Sequence, residues 1–352
     1  MTRQSKTDRK TAWVVSEGSP GHDSQSKGLA SALAELLPLD VYTVRGRATV
    51  RGWMRPFVRA WMGRSGRPLS RTLLRWFTDA ESAAQGDIRP PGGADLVISS
   101  GGKSVFAART FAARHGVPYV YLGEQKRFPN GWFDVIVSPV PDDPRPNAVR
   151  TELLPTPVSP RTVEQAAAAH ARPDGRLWAA VIGGASRSHR YQPEDWRQLA
   201  QSMNALADRE GIRWLITTSR RTGAEAETIL RETIPQKAVA DAIWWSEKPR
   251  RELHAFLGMA EIAFVTQDSV TMVTEAVASG RPVVVLQPRD VRFPADSFMS
   301  AYLERLETNR RLVRVSVHDA RSFASADQPF SPVTQNAILP LAEQVTRRLR
   351  WT

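Results

Sequence analysis

Cysteine is absent from the 352-residue sequence, and so is any long apolar run. Without cysteine the chain has no disulfide, iron–sulfur cluster, cysteine-ligated zinc site or thiol nucleophile, and it fits a reducing compartment. No stretch approaches the roughly 20 consecutive apolar residues that a transmembrane helix needs. Residues 1–11 lack the apolar segment of a secretory signal, and we interpret them as a flexible tail. These absences favour a cytoplasmic protein.

Acidic residues are too few to balance the basic ones, since 48 Lys and Arg face 36 Asp and Glu, for a net charge of +12. Such a balance favours an anionic partner: a nucleotide, a nucleic acid or an anionic membrane surface. With 41% hydrophobic and 24% charged residues, the composition is that of an ordinary globular protein. At about 150 residues per domain, the length suggests two domains.

Short apolar runs alternate with helical patterns in two series along the chain. Strands are predicted at 12–16, 41–44, 95–99, 119–122 and 134–137, and again at 177–182, 213–217, 242–245, 262–265 and 282–286. Intervening helices such as 25–37, 194–210 and 269–279 predict the α/β class, with mostly parallel sheets covered on both faces.

A segment with seven prolines, 139–160, separates the two series. We therefore predict a flexible tail (1–11), an N-terminal Rossmann-like domain (12–140), a Pro-rich linker (141–172), a C-terminal Rossmann-like domain (173–335) and a final helix (336–352). Two doubly wound domains of this kind are expected to face each other across a cleft, where ligands bind beyond the carboxyl ends of the strands.

The strongest motif lies in the second series, where Gln267, Asp268 and Ser269 end a strand and begin a helix. These side chains either cap the helix or, with its amide groups and dipole, bind a phosphate. Glu275 lies about two turns into the helix, where its carboxylate could accept hydrogen bonds from ribose hydroxyls. The spacing alone leaves capping and nucleotide binding open.

Two more loops follow strands of the same predicted domain. The loop 183–186 has two glycines, which allow close approach of a phosphate to the backbone. The loop 217–223 carries hydroxyls and two guanidinium groups that suit a diphosphate. Three such loops in one domain predict a nucleotide-diphosphate pocket.

The segments GHDSQSKGLASAL, ISSGGKS, VIGGASRSHRY, TTSRRTG and TQDSVTMVTEA together resemble the mitochondrial fission (elongated mitochondria) family. The resemblance extends from about Trp13 to Leu286 and implies a fold like that of GT-B glycosyltransferases, whose C-terminal domain binds a nucleotide sugar. It implies that the following residues bind the donor: Gly183, Gly184, Ser186, Thr218, Ser219, Arg220, Gln267, Asp268, Ser269, Met272 and Glu275. The chain has no D-x-D triplet, so we expect no metal and no cofactor, only a nucleotide diphosphate sugar as co-substrate.

A histidine follows the first strand of the chain. A sugar transfer needs a base for the acceptor hydroxyl, and a histidine with an ordinary pKa near 6.5 serves at neutral pH. We expect His22 to be this base, with Asp23 as its orienter or substitute; the alternative is that the loop merely caps a helix. The acceptor or the cleft is expected to contact Ser100, Gly101, Gly102, Lys103 and Glu124, although a glycine turn with a solvated lysine explains the first four equally well.

Residues 45–75 hold nine arginines and no acid, interleaved with aromatic residues. Three interpretations remain: a helical pair with its arginines outward, a nucleic-acid surface, or an anionic membrane surface, which we prefer. Recognised nucleic-acid modules are missing, so we expect no nucleic-acid partner. Pro56, Gly63, Gly66 and Pro68 predict short helices rather than one long one.

Together these features predict a glycosyltransferase that transfers a sugar to a hydroxyl of a lipid-linked or envelope saccharide. It would be cytoplasmic and peripheral to the inner membrane. The alternative is a non-catalytic, membrane-associated scaffold of the fission-adaptor type.

Overall fold

The computed structural model describes residues 9–49, 52–65, 67–79, 93–124, 128–140, 142–293 and 297–351. The chain divides into two units. The first unit comprises Met1–Pro157 and Ala337–Thr352, and the second is the continuous segment Val158–Asn336. Among the described residues, no helix is long and apolar enough to cross a membrane.

The first unit is built on a parallel sheet of six strands in the order β2-β1-β3-β4-β5-β6. The strands are β1 (Lys10–Ser16), β2 (Leu39–Arg45), β3 (Leu96–Ser100), β4 (Tyr119–Leu122), β5 (Val135–Ser138) and β6 (Ala148–Arg150). The helices are α1 (Pro20–Leu36), α2 (Arg55–Ser65), α3 (Arg71–Phe77) and α4 (Val105–His115), with 3₁₀ turns at Gly52–Met54 and Asn130–Trp132. Every residue of β3, β4 and β5 is buried, as expected for parallel strands covered on both faces.

The strand order of the first sheet reverses between β1 and β3. From β1 the chain passes to β2 on one side, and it then returns to β3 and continues outward to β6 on the other. In open α/β sheets, ligands bind beyond the carboxyl ends of the strands at such a switch point. The loops after β1 and β3 are therefore the place to look for a site in this unit.

The second unit repeats this plan with the strand order β10-β9-β7-β11-β12-β14, all parallel. Its helices are α5 (Pro160–Ala168), α6 (Pro193–Glu210), α7 (Ala224–Thr233), α8 (Leu253–Met259), α9 (Val270–Ala278) and α10 (Phe298–Thr308). Its strands are β7 (Arg176–Ile182), β8 (His189–Arg190), β9 (Ile212–Thr218), β10 (Val239–Ile243), β11 (Ala263–Thr266), β12 (Val283–Gln287), β13 (Asp290–Val291) and β14 (Val313–Ser316). Short 3₁₀ helices occupy Gln236–Ala238, Ala320–Ser322 and Ser325–Asp327.

An aromatic cluster forms the centre of the second core. The ring of Trp178 on β7 stacks on Phe264 of β11 at 5.5 Å, and Trp214 of β9 meets both rings edge-on. The Trp214 indole N–H donates to the Met203 carbonyl at 2.9 Å, so this buried polar group is satisfied. The cluster fixes β9, β7 and β11 side by side, and the switch point of this sheet lies between β7 and β11.

The structure sets some boundaries differently from the sequence prediction. β1 begins at Lys10, within the predicted tail, and the predicted linker 141–172 contains β6 and α5. Pro160 does not interrupt regular structure because it takes the first turn of α5, where Ser159 caps the helix. The chain ends in α11 (Leu339–Leu349), which belongs to the first unit and packs on α1.

Candidate functional site

Three strand-end loops of the second unit meet beside the β7/β11 switch point. The Gly183 amide donates to the Thr266 hydroxyl at 2.6 Å, which joins the loops after β7 and β11. The Thr222 hydroxyl donates to the Ile182 carbonyl at 3.0 Å and also to that of Gly183, which joins the loops after β9 and β7. The sequence-predicted loops 183–186, 217–223 and 267–269 therefore converge within this unit.

The glycine pair allows this convergence. A Cβ at Gly183 would overlap the Asp268 carboxylate, and a Cβ at Gly184 would overlap the backbone carbonyl of Arg221. Any side chain at these positions would force the neighbouring loops apart. Gly183 thus admits the Asp268 carboxylate to the loop after β7, and Gly184 allows this loop to contact the backbone of the loop after β9.

Asp268 is the polar centre of the loops. Its side chain is fully buried and accepts from Arg221 at 2.5 Å and, at 3.4 Å, from the Tyr191 hydroxyl. Burial raises the pKa of Asp268 above its ordinary value, although the Arg221 charge and hydrogen bonds from Thr266 and the Gly184 amide oppose the rise. Asp268 therefore orients the hydrogen-bond donors that surround it. Arg221, which forms the ion pair with it, remains partly exposed.

Two buried side chains of this region carry polar atoms without protein partners. His189 is fully buried, and its Nδ1 lies 3.1 Å from the Ser186 hydroxyl and 3.2 Å from that of Ser188, while Nε2 has no partner among the described residues. Gln267 is also fully buried, and within the described part of the chain neither its Oε1 nor its Nε2 is hydrogen-bonded. An unsatisfied buried polar group costs about 1–3 kcal/mol. Such groups are uncommon except where a bound molecule or an ordered water completes the site.

The charge of His189 is set by the same environment. Burial and, to a smaller extent, the nearby charge of Arg221 lower the pKa of His189 to about 4. The imidazole is therefore neutral at pH 7, and it brings no positive charge to the loops.

The other residues that the sequence predicts to bind the nucleotide sugar have different surroundings. The Ser269 side chain accepts a hydrogen bond from the Met272 amide at 3.4 Å and so caps α9. The helix cap, one of the two interpretations that the sequence leaves open, is therefore present. The Thr218 hydroxyl donates to Glu227 at 2.5 Å and to the Ile243 carbonyl at 3.1 Å, so it is engaged in the β9–β10 region. The Ser219 hydroxyl accepts from the Arg221 amide at 3.2 Å. Ser186, Met272 and Glu275 are partly buried, and Arg220 is exposed.

A small antiparallel pair that the sequence does not predict adjoins the first of these loops. β8 pairs with β13, and the Arg292 amide donates to the Ser188 carbonyl at 2.8 Å. The Phe293 ring meets His189 edge-on at 5.3 Å. Each strand has only two residues, which is too short for any periodic signal in the sequence.

The first unit has a second polar cluster beside its β1/β3 switch point. His22 Nδ1 lies 2.7 Å from Oε1 of Glu17, and the Lys103 amide donates to Oε2 of the same carboxylate at 2.8 Å. The Glu17 side chain is only 8% exposed, while that of His22 is 41% exposed. Glu17 thus fixes the ring through Nδ1, and an imidazole held in this way can exchange a proton at Nε2.

Glu17 is ionised in this arrangement. Burial raises its pKa, but the hydrogen bond and charge of His22, the Lys103 amide and the Lys103 charge together lower it below the ordinary value. The sequence prediction missed Glu17, which looks there like part of a turn. The sequence signal that could have identified Glu17 is its position directly after a strand and five residues before a histidine.

Asp23 does not orient His22. Its Oδ2 accepts from the Ser16 hydroxyl at 2.7 Å, and that hydroxyl in turn accepts from the Gly18 amide at 3.0 Å. Asp23 therefore secures the loop at the start of α1, because as the next residue on a helix it projects in a different direction from His22. The orienting role expected for Asp23 belongs to Glu17.

The loop after β3 closes around the same histidine. Gly101 has a φ of +86°, and a Cβ there would overlap both His22 and Glu17. Ser100 donates to Gln25 of α1 at 2.9 Å. Gly102 is exposed, whereas Lys103 is partly buried. The loop after β3 is thus held to α1 through Ser100 and to Glu17 through the Lys103 amide, with glycine required at 101 beside His22; the predicted acceptor contact of this loop stays a prediction.

Tyr121, near the carboxyl end of β4, and Arg145, after β5, belong to a further polar group that the sequence analysis does not predict. Burial and the Glu17 charge raise the pKa of Tyr121 to about 12. Arg145 binds Asp143 with its Nε at 2.7 Å, and this hydrogen bond lowers the pKa of Asp143 to about 2. Glu124 is partly buried and acts electrostatically on both Tyr121 and Arg145. Residues 125 and 126, which follow Glu124, lie outside the described residues.

No group of three or more metal-ligating side chains occurs among the residues that the structure describes.

The two parallel α/β sheets, each with a topological switch point, give the chain a GT-B-like fold. The chain is similar to the UDP-GlcNAc 2-epimerase of Neisseria meningitidis bound to UDP-GlcNAc, at 11% identity and a TM-score of 0.52, covering 98% of this chain and 100% of that one. It is also similar to UGT2 of Phytolacca americana complexed with UDP-2fluoro-glucose and pterostilbene, at 10% identity, a TM-score of 0.50 and coverages of 97% and 93%. A putative UDP-N-acetylglucosamine 2-epimerase of Listeria monocytogenes gives 12% identity, a TM-score of 0.50 and 98% coverage of both chains. The predicted α/β fold class is confirmed.

The model of the family described as Mitochondrial fission ELM1 matches residues 20–348, and the chain belongs to that family. The family predicted from the sequence motifs is therefore confirmed. A search of curated proteins gives no match.

Proposed function

We propose that the protein binds a nucleoside-diphosphate sugar in its second unit and transfers the sugar to a hydroxyl group of an acceptor. The observation that carries the proposal is the convergence of the loops after β7, β9 and β11 at a switch point, where two buried side chains retain unsatisfied polar atoms. Two of the similar structures described above were solved with UDP-GlcNAc and UDP-2fluoro-glucose, which supports a nucleotide sugar as the ligand class.

The diphosphate is proposed to bind at the loop backbones and the arginines beside them. Arg221 is held by Asp268 yet stays partly exposed, and Arg220 is exposed next to it. Guanidinium groups and amide groups at the start of α9 stabilise the charge that develops on a leaving diphosphate. Glu275, in the second turn of α9, is proposed to accept from the ribose hydroxyls, and Gln267 is proposed to be satisfied once the nucleotide is bound.

The proton transfer is assigned to the Glu17–His22 pair of the first unit. His22 takes the proton of the acceptor hydroxyl at Nε2 while Glu17 holds Nδ1 and stabilises the imidazolium that forms. The hydroxyl oxygen forms a bond to the anomeric carbon, the bond from that carbon to the diphosphate breaks, and the nucleoside diphosphate leaves. We propose a lipid-linked or envelope saccharide as the acceptor, with neither a metal nor a cofactor in the reaction.

Calorimetric titration of the full chain with UDP, GDP and their sugars tests the donor site. We expect one nucleotide to bind, and Glu275→Ala to weaken that binding by more than about tenfold, because each lost charged hydrogen bond costs about 1.5–3 kcal/mol. Glu232→Ala, at an exposed position of α7, is the matched control and should not change the affinity. No binding at millimolar nucleotide would reject the donor site.

Turnover of the nucleotide sugar that binds tests the base. His22→Ala should lower turnover by about 10²-fold or more and leave nucleotide affinity unchanged, because its contacts lie in the first unit. Glu17→Gln should lower turnover, whereas Asp23→Asn should have a smaller effect because Asp23 does not contact the ring. Normal turnover in His22→Ala would reject the base, and nucleotide binding without any turnover would favour the non-catalytic scaffold.

A further inference from the structure

An exposed aromatic stripe runs along α2 and the 3₁₀ turn before it. Trp53, Phe57 and Trp61 are spaced four residues apart, so they lie on one helical face. Their exposures are 64%, 70% and 46%, values at which most of the ring surface of Trp53 and Phe57 contacts solvent. Rings of this size are normally buried, and a contiguous exposed set marks a surface that binds something.

The stripe is separate from the face that anchors α2 to the protein. Val58 and Met62, also four residues apart, are buried in the core of the first unit with Leu69 and Leu74. The helix is therefore already fixed to the core through its other side. Packing of the fold thus does not explain the exposed rings, and substituting them should not unfold the unit.

A groove of about 470 Å³ lies between α2 and α3 along this stripe. The described side chains that line it are all apolar: Trp53, Met54, Phe57, Val58, Trp61, Leu73 and Phe77. Trp76 is 63% exposed on α3, next to Phe77. Trp53, Phe57, Trp61 and Trp76, together with this groove, are called the aromatic surface below.

The charged residues of α2, of α3 and of the segment between them are all basic. The sequence contains no acidic residue between Asp40 and Asp79. Arginines on α2, on α3 and between them are partly or fully exposed: Arg55, Arg59, Arg67, Arg71 and Arg75. An apolar surface with arginines along both of its helices complements an anionic phase with an apolar interior.

We propose that the aromatic surface docks onto an anionic lipid bilayer, with the rings at the level of the headgroups and acyl chains and the arginines at the lipid phosphates. A second copy of this chain fits poorly, because an isologous contact would set the arginines of α2 and α3 against the same arginines of the other copy. A nucleic acid could stack its bases on the exposed rings, but the described side chains that line the groove between α2 and α3 are apolar and do not suit the polar edges of the bases. The bilayer satisfies both the charge and the groove.

Co-sedimentation of the full-length protein with vesicles tests this proposal. We expect the protein to bind vesicles of an equal mixture of phosphatidylcholine and phosphatidylglycerol, and to bind phosphatidylcholine vesicles much less. Phe57→Ser/Trp61→Ser should weaken the binding by about tenfold or more, and Arg71→Gln should weaken it less and reduce its salt dependence. The matched controls lie in the second unit: Trp245→Ser, at a ring 44% exposed, and Arg251→Gln, at an exposed arginine, should leave the binding unchanged.

The outcomes distinguish three candidate ligands of the aromatic surface: an anionic bilayer, a nucleic acid and a second copy of the chain. Equal loss in Phe57→Ser/Trp61→Ser and in Trp245→Ser, or no loss in either, would overturn the proposal. So would binding of a single-stranded oligonucleotide through Phe57 and Trp61 without vesicle binding, or a dimer by sedimentation equilibrium that dissociates in the double variant and ignores vesicles. A near-UV circular dichroism spectrum and an unfolding temperature close to those of the wild type confirm that the double variant is folded.

Discussion

His189 shows how burial, rather than residue type, decides the charge of a side chain in these loops. The ring is fully buried, lies near Arg221 and contacts Phe293, Ser186 and Ser188. Its pKa is lowered from 6.5 to about 4, so the folded protein holds it neutral where the unfolded chain would protonate it. The stabilisation from this difference is fully present above pH 6.5 and is lost as the pH falls toward 4.

We therefore expect the free energy of unfolding to fall by about 3 kcal/mol between pH 7 and pH 4 on account of His189. His189→Asn should flatten the slope without abolishing it, because burial also lowers the pKa of His254. Urea unfolding at a series of pH values measures the slope. His170→Asn, at an exposed position, is the control, and a slope in His189→Asn equal to that of the wild type would contradict the prediction.

Gly184 allows the loop after β7 to pack closely against the loop after β9. A Cβ at this position would overlap the Arg221 carbonyl, which belongs to the backbone and cannot turn aside as a side chain can. Gly184→Ala should lower the free energy of unfolding by about 1–3 kcal/mol and weaken nucleotide binding at the same time. Gly131→Ala, where an added Cβ meets nothing, should be close to neutral in chemical denaturation. A Gly184→Ala variant as stable as Gly131→Ala would show that the loops can separate freely.

At the scale of elements, the sequence locates most strands of the two sheets within a few residues. The predicted strands at 119–122, 177–182, 213–217 and 262–265 match β4, β7, β9 and β11 closely, because each is a short apolar run buried on both faces. The predicted short helices are present as α2 and α3, with Pro68 between them, whereas Pro56 and Gly63 lie within α2 and do not interrupt it. β8 and β13 could not be predicted, since two residues held by distant partners leave no period.

The site could be predicted as loops but not as contacts. Spacing brings glycines and hydroxyls to the strand ends, yet it does not tell which of Arg220 and Arg221 turns inward to Asp268, a residue 47 positions away. Nor does it show that Glu17 rather than Asp23 meets His22. Both choices depend on where a side chain points once the strands have paired, and that is decided by tertiary packing.

Thr222 connects two of these loops as a unit. Its hydroxyl donates to the carbonyls of Ile182 and Gly183 and accepts from the Ser219 amide at 2.9 Å. Thr222→Val keeps the shape and removes all these bonds, so we expect a loss of about 2 kcal/mol in the free energy of unfolding and weaker nucleotide binding. Thr228→Val, on the exposed face of α7, is the matched control and should lie within about 0.5 kcal/mol of the wild type. Equal denaturation curves for the two variants would contradict the role given to Thr222.

At the scale of the whole molecule, the two units differ in how the chain builds them. The second unit is one continuous segment with its own aromatic core around Trp178, Trp214 and Phe264. The first is discontinuous, because α11 at the end of the chain packs on α1 near its start. The buried side chains of α11, among them Leu341 and Val345, thus complete a hydrophobic core whose other members come from the first 157 residues.

This difference predicts opposite behaviour for the two halves when they are produced separately. The fragment 158–336 should unfold cooperatively and bind the nucleotide with nearly the affinity of the full chain, because all the converging loops lie within it. The fragment 1–157 should be less stable and bind hydrophobic dyes, since without α11 it exposes apolar surface of α1 to water. Each Å² of apolar surface exposed in this way costs about 25 cal/mol of free energy. Adding a peptide of residues 337–352 should restore part of its stability, whereas the same peptide with Leu341→Ser/Val345→Ser should not. Full stability of 1–157 without the peptide would show that α11 contributes little to the first unit.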